Sequence, residues 1–321
     1  MPFSDDLRQF GPDASYTVSP AQARTYCARL TATHYENFSV VTWLTPKLLR
    51  PAFQSVYAFC RWADDLGDEV GDRQRSGELL DWWRGELRAL YESSPRHPVM
   101  IALAETVATF QIPIDPFEAL ISAFEQDQSV TEYETYDQVL DYCTRSANPV
   151  GHLVLYLARA FNPENAQLAD ATCTGLQLAN FWQDVARDLA IGRIYLPRED
   201  RARFGYSEAD LSALRFTPQF AALLACEVER AHVLLERGWP LVARMPRALA
   251  MDVDLFTRGG LALLDKIAAQ GFDVLRRRPR LGKLAKLRLL ARSWIGTSAF
   301  RPNPRAVRQP APVGTGRESD A

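Results

Sequence analysis

Apolar residues recur at three- and four-residue intervals along nearly the whole chain, and strict alternation of apolar and polar positions is nearly absent. The first spacing lines one face of a helix and the second would mark strands, so the pattern predicts an all-α fold. Helices are expected over 19–33, 47–66, 76–93, 97–110, 115–127, 137–160, 164–190, 217–243, 246–270 and 281–296. Proline and cap residues set several of these boundaries. Ser19-Pro20 offers an N-cap with proline in the first turn, Pro46 and Pro51 bracket an entry turn, and Asn162-Pro163 separates two long central helices. Residues 1–18 read as an N-terminal extension and 19–298 as one helical domain. The stretch 299–321 is rich in Pro, Gly and Arg, lacks apolar periodicity, and is expected to be a disordered tail.

Two of the predicted helices carry paired aspartates: Asp64 and Asp68 in CRWADDLGDE, and Asp184 and Asp188 in QLANFWQDVARDL. Residues four apart lie one above the other on a helix, so each pair aims at one point. Left alone, like charges at that spacing repel by a few tenths of a kcal/mol, a cost that a bound cation reverses. Two such pairs point to one cavity holding several Mg2+ ions. Because Mg2+ prefers a few carboxylates plus phosphate oxygens and water, the ligand should carry phosphate.

Neighbouring residues extend both faces. At 100° per residue, Gln177, Asn180, Asp184 and Asp188 share a stripe about 80° wide. Leu176, Leu178, Ala179, Phe181, Trp182, Val185 and Leu189 surround it, as expected of a helix buried on most sides with a polar line facing a cavity. The competing reading is a solvent-exposed face with Asp188 paired to Arg187 or Arg193. On the first helix Tyr57, Arg61, Asp64 and Asp68 fall within about 60° of one another, with Asp65 and Glu69 on an adjoining face as outer ligands or solvated acids. Gly192 fits a helix C-cap position. Arg193 can clamp a phosphate or simply complement a helix C-terminus, and Tyr195 is ambiguous. His34 stands alone, and no HExxH pattern indicates a histidine metal site.

Composition narrows the partners. Over 321 residues, 37 Lys plus Arg nearly balance 39 Asp plus Glu, so no global field points to nucleic acid and a small molecule is the expected ligand. Five cysteines without a CxxC suit a reducing cytoplasm better than a disulfide framework. No apolar run reaches the roughly 18 residues that span a bilayer, so a soluble or peripheral protein is expected. The segment LGKLAKLRLLARSWIG reads first as a terminal core helix and second as an amphipathic helix touching a membrane.

Together CRWADDLGDE, QLANFWQDVARDL, GRIYLP and His34 resemble the squalene and phytoene synthase family, the head-to-head prenyl synthases, over about residues 20–295. The resemblance implies a single-domain helical bundle around a central cavity, in which two or three Mg2+ ions hold and ionise allylic diphosphates. Carried over residue by residue, it makes Asp64, Asp68, Asp184 and Asp188 metal ligands, joined by Asn180. Arg61, Gln177, Asn180, Arg193 and Tyr195 become substrate contacts, with His34 close by. HYENF, SANPVGHL and NFWQDVARDL look most like bacterial hydroxysqualene synthases. Gln183, where many members have an arginine, and Arg145 before SANPVG, where eukaryotic squalene synthases have a tyrosine, point the same way. The implied reaction converts presqualene diphosphate and water to hydroxysqualene and diphosphate, in squalene and hopanoid biosynthesis. No NADPH is expected, since water replaces hydride and no glycine fingerprint follows a strand. Alternatives are a presqualene diphosphate, dehydrosqualene or phytoene synthase, and a non-catalytic relative that binds partners. Other pathway enzymes and the inner membrane face are further expected contacts.

Overall fold

The structure, a computed structural model, describes residues 3–33 and 45–298. His34 and the tail expected over 299–321 lie outside the described residues. Within them the regular structure is helical, apart from one parallel bridge between Glu132 and Ile194. In chain order the helices are α1 (Phe3–Phe10), α2 (Pro20–Thr33), α3 (Arg50–Asp68), α4 (Arg73–Glu92), α5 (Pro98–Phe110), α6 (Asp115–Gln126), α7 (Tyr136–Ser146) and α8 (Asn148–Leu157). They continue with α9 (Pro163–Ala190), α10 (Arg198–Arg203), α11 (Glu208–Ser212), α12 (Pro218–Gly238), a 3-10 turn (Trp239–Arg244), α13 (Arg247–Ala269) and α14 (Lys283–Ser298).

Local chemistry explains most boundaries. Asn162 accepts from the Asn165 amide at the start of α9, Asp72 from Arg75 at α4, and Thr135 with Gln138 forms a capping box at α7. The helix expected over 137–160 is split at Ala147, because Pro149 cannot donate to the preceding turn. The one expected over 217–243 stops at Gly238 and tightens into the 3-10 turn that contains Pro240. Residues 3–10, read as part of an extension, form a helix whose Phe3 ring meets Trp62 edge-on at 5.2 Å. Burying that face supplies the stability that an eight-residue helix lacks alone.

One core cluster packs Phe59, Trp62, Trp83 and Phe117 between α3, α4 and α6, and a second packs Trp182, Phe220, Leu224 and Leu235 between α9 and α12. Side chains of this size each gain about 1.5–3 kcal/mol on burial. The second cluster closes unusually tightly around α9. A Cβ on Gly175 would lie 2.8 Å from Leu235 Cγ, one on Gly238 2.7 Å from the Thr172 backbone nitrogen, and one on Gly260 2.8 Å from Leu176 Cδ2. Three glycines therefore let α9, α12 and α13 interlock, which holds the second aspartate helix in place.

Candidate active site

Helix α3 is apolar in its first half and acidic in its second. Phe53, Tyr57 and Cys60 line a cavity of about 160 Å³ with Val150, Val154 and Leu157 of α8. One turn further on, Arg61 gathers three acids: Asp64 at 3.3 Å, Asp65 at 2.9 Å and Glu69 at 3.1 Å. Asp65, expected as an outer ligand or a solvated acid, is not solvated: it is 3% exposed, and burial pushes its pKa up to about 7 against the pull of Arg61. Burial likewise raises Asp64, with Arg61 opposing and Asp68 reinforcing the shift.

Arg193 ties the two motifs together. Its backbone nitrogen donates to the Asp188 carbonyl (2.8 Å) just past α9, and its guanidinium reaches Asp68 at the end of α3 (2.7 Å). Gly192 takes a positive φ of 79°, which costs glycine little and turns the chain towards α3. Backbone bonds from Ile194 to Thr131 (2.7 Å) and from Arg198 to Tyr133 (3.0 Å) hold this connection. Asp68 and Arg193 then face Asp127 across a polar cavity of about 340 Å³. Asp127 accepts from the Tyr142 hydroxyl at 2.9 Å; burial pushes it up to about 6, while Arg193 pulls it down.

On α9, Arg278 donates to both oxygens of Asp184, one at 2.8 Å, and to Gln183 Oε1 at 3.1 Å. Asp188 has no ion pair among the described residues, and burial with Asp184 beside it pushes its pKa up to about 7. Gln177 is half-buried and Asn180 exposed; neither side chain makes a hydrogen bond among the described residues. Tyr195 is buried, stacked on Phe181 with ring centroids 3.6 Å apart, and forms a wall behind Asp188 and Arg193. The structure thus links Arg61, Asp64, Asp68 and Arg193 to the Asp184–Asp188 end of α9. Gln177 and Asn180 sit one to three turns earlier on that helix. Arg278, Asp127 and Tyr142 were missed in the sequence: Arg278 is hidden in a run of arginines, and the other two meet only in three dimensions. Arg145, half-exposed, pairs with Asp141 at 2.6 Å and with Gln126 at 2.8 Å.

Among the described residues no three acid, histidine or cysteine side chains converge as a ready-made metal cage. The donors come instead as carboxylate pairs, leaving most of an octahedral shell to water and phosphate, which suits Mg2+. Asp188, a raised carboxylate with an acid beside it, is where a cation would give most relief.

Acidic pairs on neighbouring helices recur in unrelated enzymes, so comparison with known proteins decides between them. The family model for squalene/phytoene synthases matches residues 31–285. The chain belongs to the squalene/phytoene synthase family. It is 30% identical over 300 residues to 15-cis-phytoene synthase of Synechocystis sp., covering 88% of each chain. Presqualene diphosphate synthase of Rhodopseudomonas palustris is 29% identical, over 77% of this chain and 86% of the relative. Among solved structures, squalene synthase HpnC from Alicyclobacillus acidocaldarius is 45% identical with a TM-score of 0.75, over 79% of this chain and 95% of that one. A dehydrosqualene synthase at 23% identity and a TM-score of 0.79 shares the squalene/phytoene synthase fold. Members of this family act on prenyl diphosphates.

Proposed function

We propose that this family member converts presqualene diphosphate and water to hydroxysqualene and diphosphate, with Asp64, Asp68, Asp184 and Asp188 holding Mg2+. The observation that carries the reading is the 45% identity to a squalene synthase, against 30% to the phytoene synthases. Mg2+ would neutralise the departing diphosphate. Arg61 and Arg193, already at the carboxylates, bind the diphosphate oxygens through charge-assisted hydrogen bonds. Phe53, Tyr57, Val150 and Val154 seat the hydrocarbon in the apolar cavity along the same helix face, and the Phe181–Tyr195 stack keeps water from the back of the site.

The test incubates purified protein and Mg2+ separately with farnesyl diphosphate, geranylgeranyl diphosphate and presqualene diphosphate, without NADPH. Hydroxysqualene from presqualene diphosphate alone supports the reading. A C30 or C40 product from either linear diphosphate overturns it in favour of a condensing synthase, the second reading, which the phytoene and presqualene diphosphate synthase relatives favour.

We also propose peripheral contact with anionic bilayers through α14. Helix α14 packs against α13, as a terminal core helix would, yet Leu284, Leu287 and Trp294 are 73%, 62% and 65% exposed. Exposed Lys283, Lys286 and Arg288 accompany them, and the helix contains no acid. No described helix is long and apolar enough to cross a membrane.

A further inference from the structure

Four arginines crowd the RRRPR segment between α13 and α14. Arg276, Arg277 and Arg280 are exposed, and only Arg278 turns inward, towards Asp184. What turns it is Gln183. The amide nitrogen of this buried residue donates to the Pro279 carbonyl at 2.5 Å, and its oxygen accepts from Arg278 at 3.1 Å. Both ends of one side-chain amide are therefore spent on two consecutive residues of the segment. A cation at position 183 would repel Arg278, and an acid would compete with Asp184 for it. Glutamine is the residue that both donates to the carbonyl and accepts from the guanidinium.

We propose that Arg278, seated by Gln183, is a diphosphate-binding residue of this site that holds Asp184 as a counter-ion when no divalent cation is bound. The inference rests on the function proposed above. The guanidinium donates to both oxygens of Asp184, so it and a cation would compete for the same two atoms. When Asp184 is shared with a cation, Arg278 has donors to spare beside the place where phosphate oxygens complete the shell. Its fork geometry fits such oxygens in pairs. Arg193 likewise donates to Asp68, through a single bond, so each motif has a carboxylate held by an arginine from outside its own helix. Gln183 acts through Arg278 and is a positioning residue.

Calorimetry on the full chain tests this with two probes: Mg2+ alone, and inorganic pyrophosphate in saturating Mg2+. In Arg278→Gln, Mg2+ alone should bind as tightly as in the unsubstituted protein or more tightly, because the competitor is gone. Pyrophosphate should bind about tenfold more weakly or worse. Arg278→Lys should recover part of the pyrophosphate affinity, and Gln183→Ala should lose part of it. Loss of fold would weaken both probes together, so the opposed signs identify the role, and thermal melting of each variant checks folding. Equal pyrophosphate affinity in Arg278→Gln, or parallel weakening of both probes in a folded variant, overturns the inference. If the unsubstituted protein binds no pyrophosphate with Mg2+, the functional reading itself fails.

Discussion

Asp252 offers a direct measurement of what an unpartnered charge costs this fold. It lies on α13 and is 4% exposed, and neither carboxylate oxygen has a hydrogen-bond partner among the described residues. Two residues on, Asp254 is held by Trp239 Nε1 at 3.0 Å and by Arg258 at 2.6 Å. Burial alone pushes the Asp252 pKa from 3.8 up to about 7. A folded-state pKa above the unfolded value means that the folded protein keeps a proton the unfolded chain releases. Stability is therefore lost as pH rises from about 4 to 7, and the loss is complete above that. About three pH units at 1.36 kcal/mol each set a ceiling of about 4 kcal/mol, and local relaxation with water entry reduces this to about 1–2 kcal/mol. Asp252→Asn keeps the shape and cannot ionise. It should be about 1–2 kcal/mol more stable than the unsubstituted protein at pH 8, with the gap closing towards pH 4.5. Urea unfolding followed by tryptophan fluorescence, in chelator so that the aspartate motifs stay metal-free, measures the difference. An Asn variant less stable at pH 8, or a gap indifferent to pH, would refute the reasoning.

Asp64→Ala and Asp184→Ala should each lower turnover of the prenyl diphosphate by orders of magnitude while leaving the far-ultraviolet circular dichroism unchanged; near-normal activity in either would remove the aspartates from the chemistry. At the helix contact, Gly238→Ala forces a Cβ to 2.7 Å from the Thr172 backbone nitrogen and should cost about 1–3 kcal/mol or more. Gly259→Ala, where a Cβ meets nothing within 4 Å, should be neutral or stabilise by up to about 1 kcal/mol, and thermal melting of the pair separates packing from propensity. Sedimentation with phosphatidylglycerol vesicles should recover the protein at low salt. Neutralising Lys283, Lys286 and Arg288 together should abolish recovery, and unchanged recovery would rule out α14 as the contact.

Helix class and most helix positions were legible because apolar periodicity and proline punctuation are local signals. The breaks at Ala147 and Gly238 were harder to read, since proline inside an apolar pattern leaves open whether the helix bends or stops. Residues 3–10 and the short helices α10 and α11 were missed because they are stabilised by what they pack against. In the site, the aspartates and Arg61 stood out through i, i+4 spacing on one helix. Arg278 reaches Asp184 across 94 positions of chain, and the Asp127–Tyr142 contact joins the residue that ends α6 to α7; no spacing rule covers either. Gln183, read from sequence as a mark of the product, is occupied in the structure with holding a distant segment.

The connection after α9 also bears on how such a protein can be recombined. Arg193 is bonded through its backbone to the end of one motif and through its side chain to the other, while the next residue is bonded to Thr131. The exchangeable unit is therefore neither helix alone but three separated stretches, 64–68, 127–134 and 184–199, that have to be inherited together. A chimera taking α9 from a relative without the other two would present Arg193 to a foreign partner. Side chains of the apolar cavity lie outside that unit, so its lining can change while the carboxylate and arginine contacts stay intact.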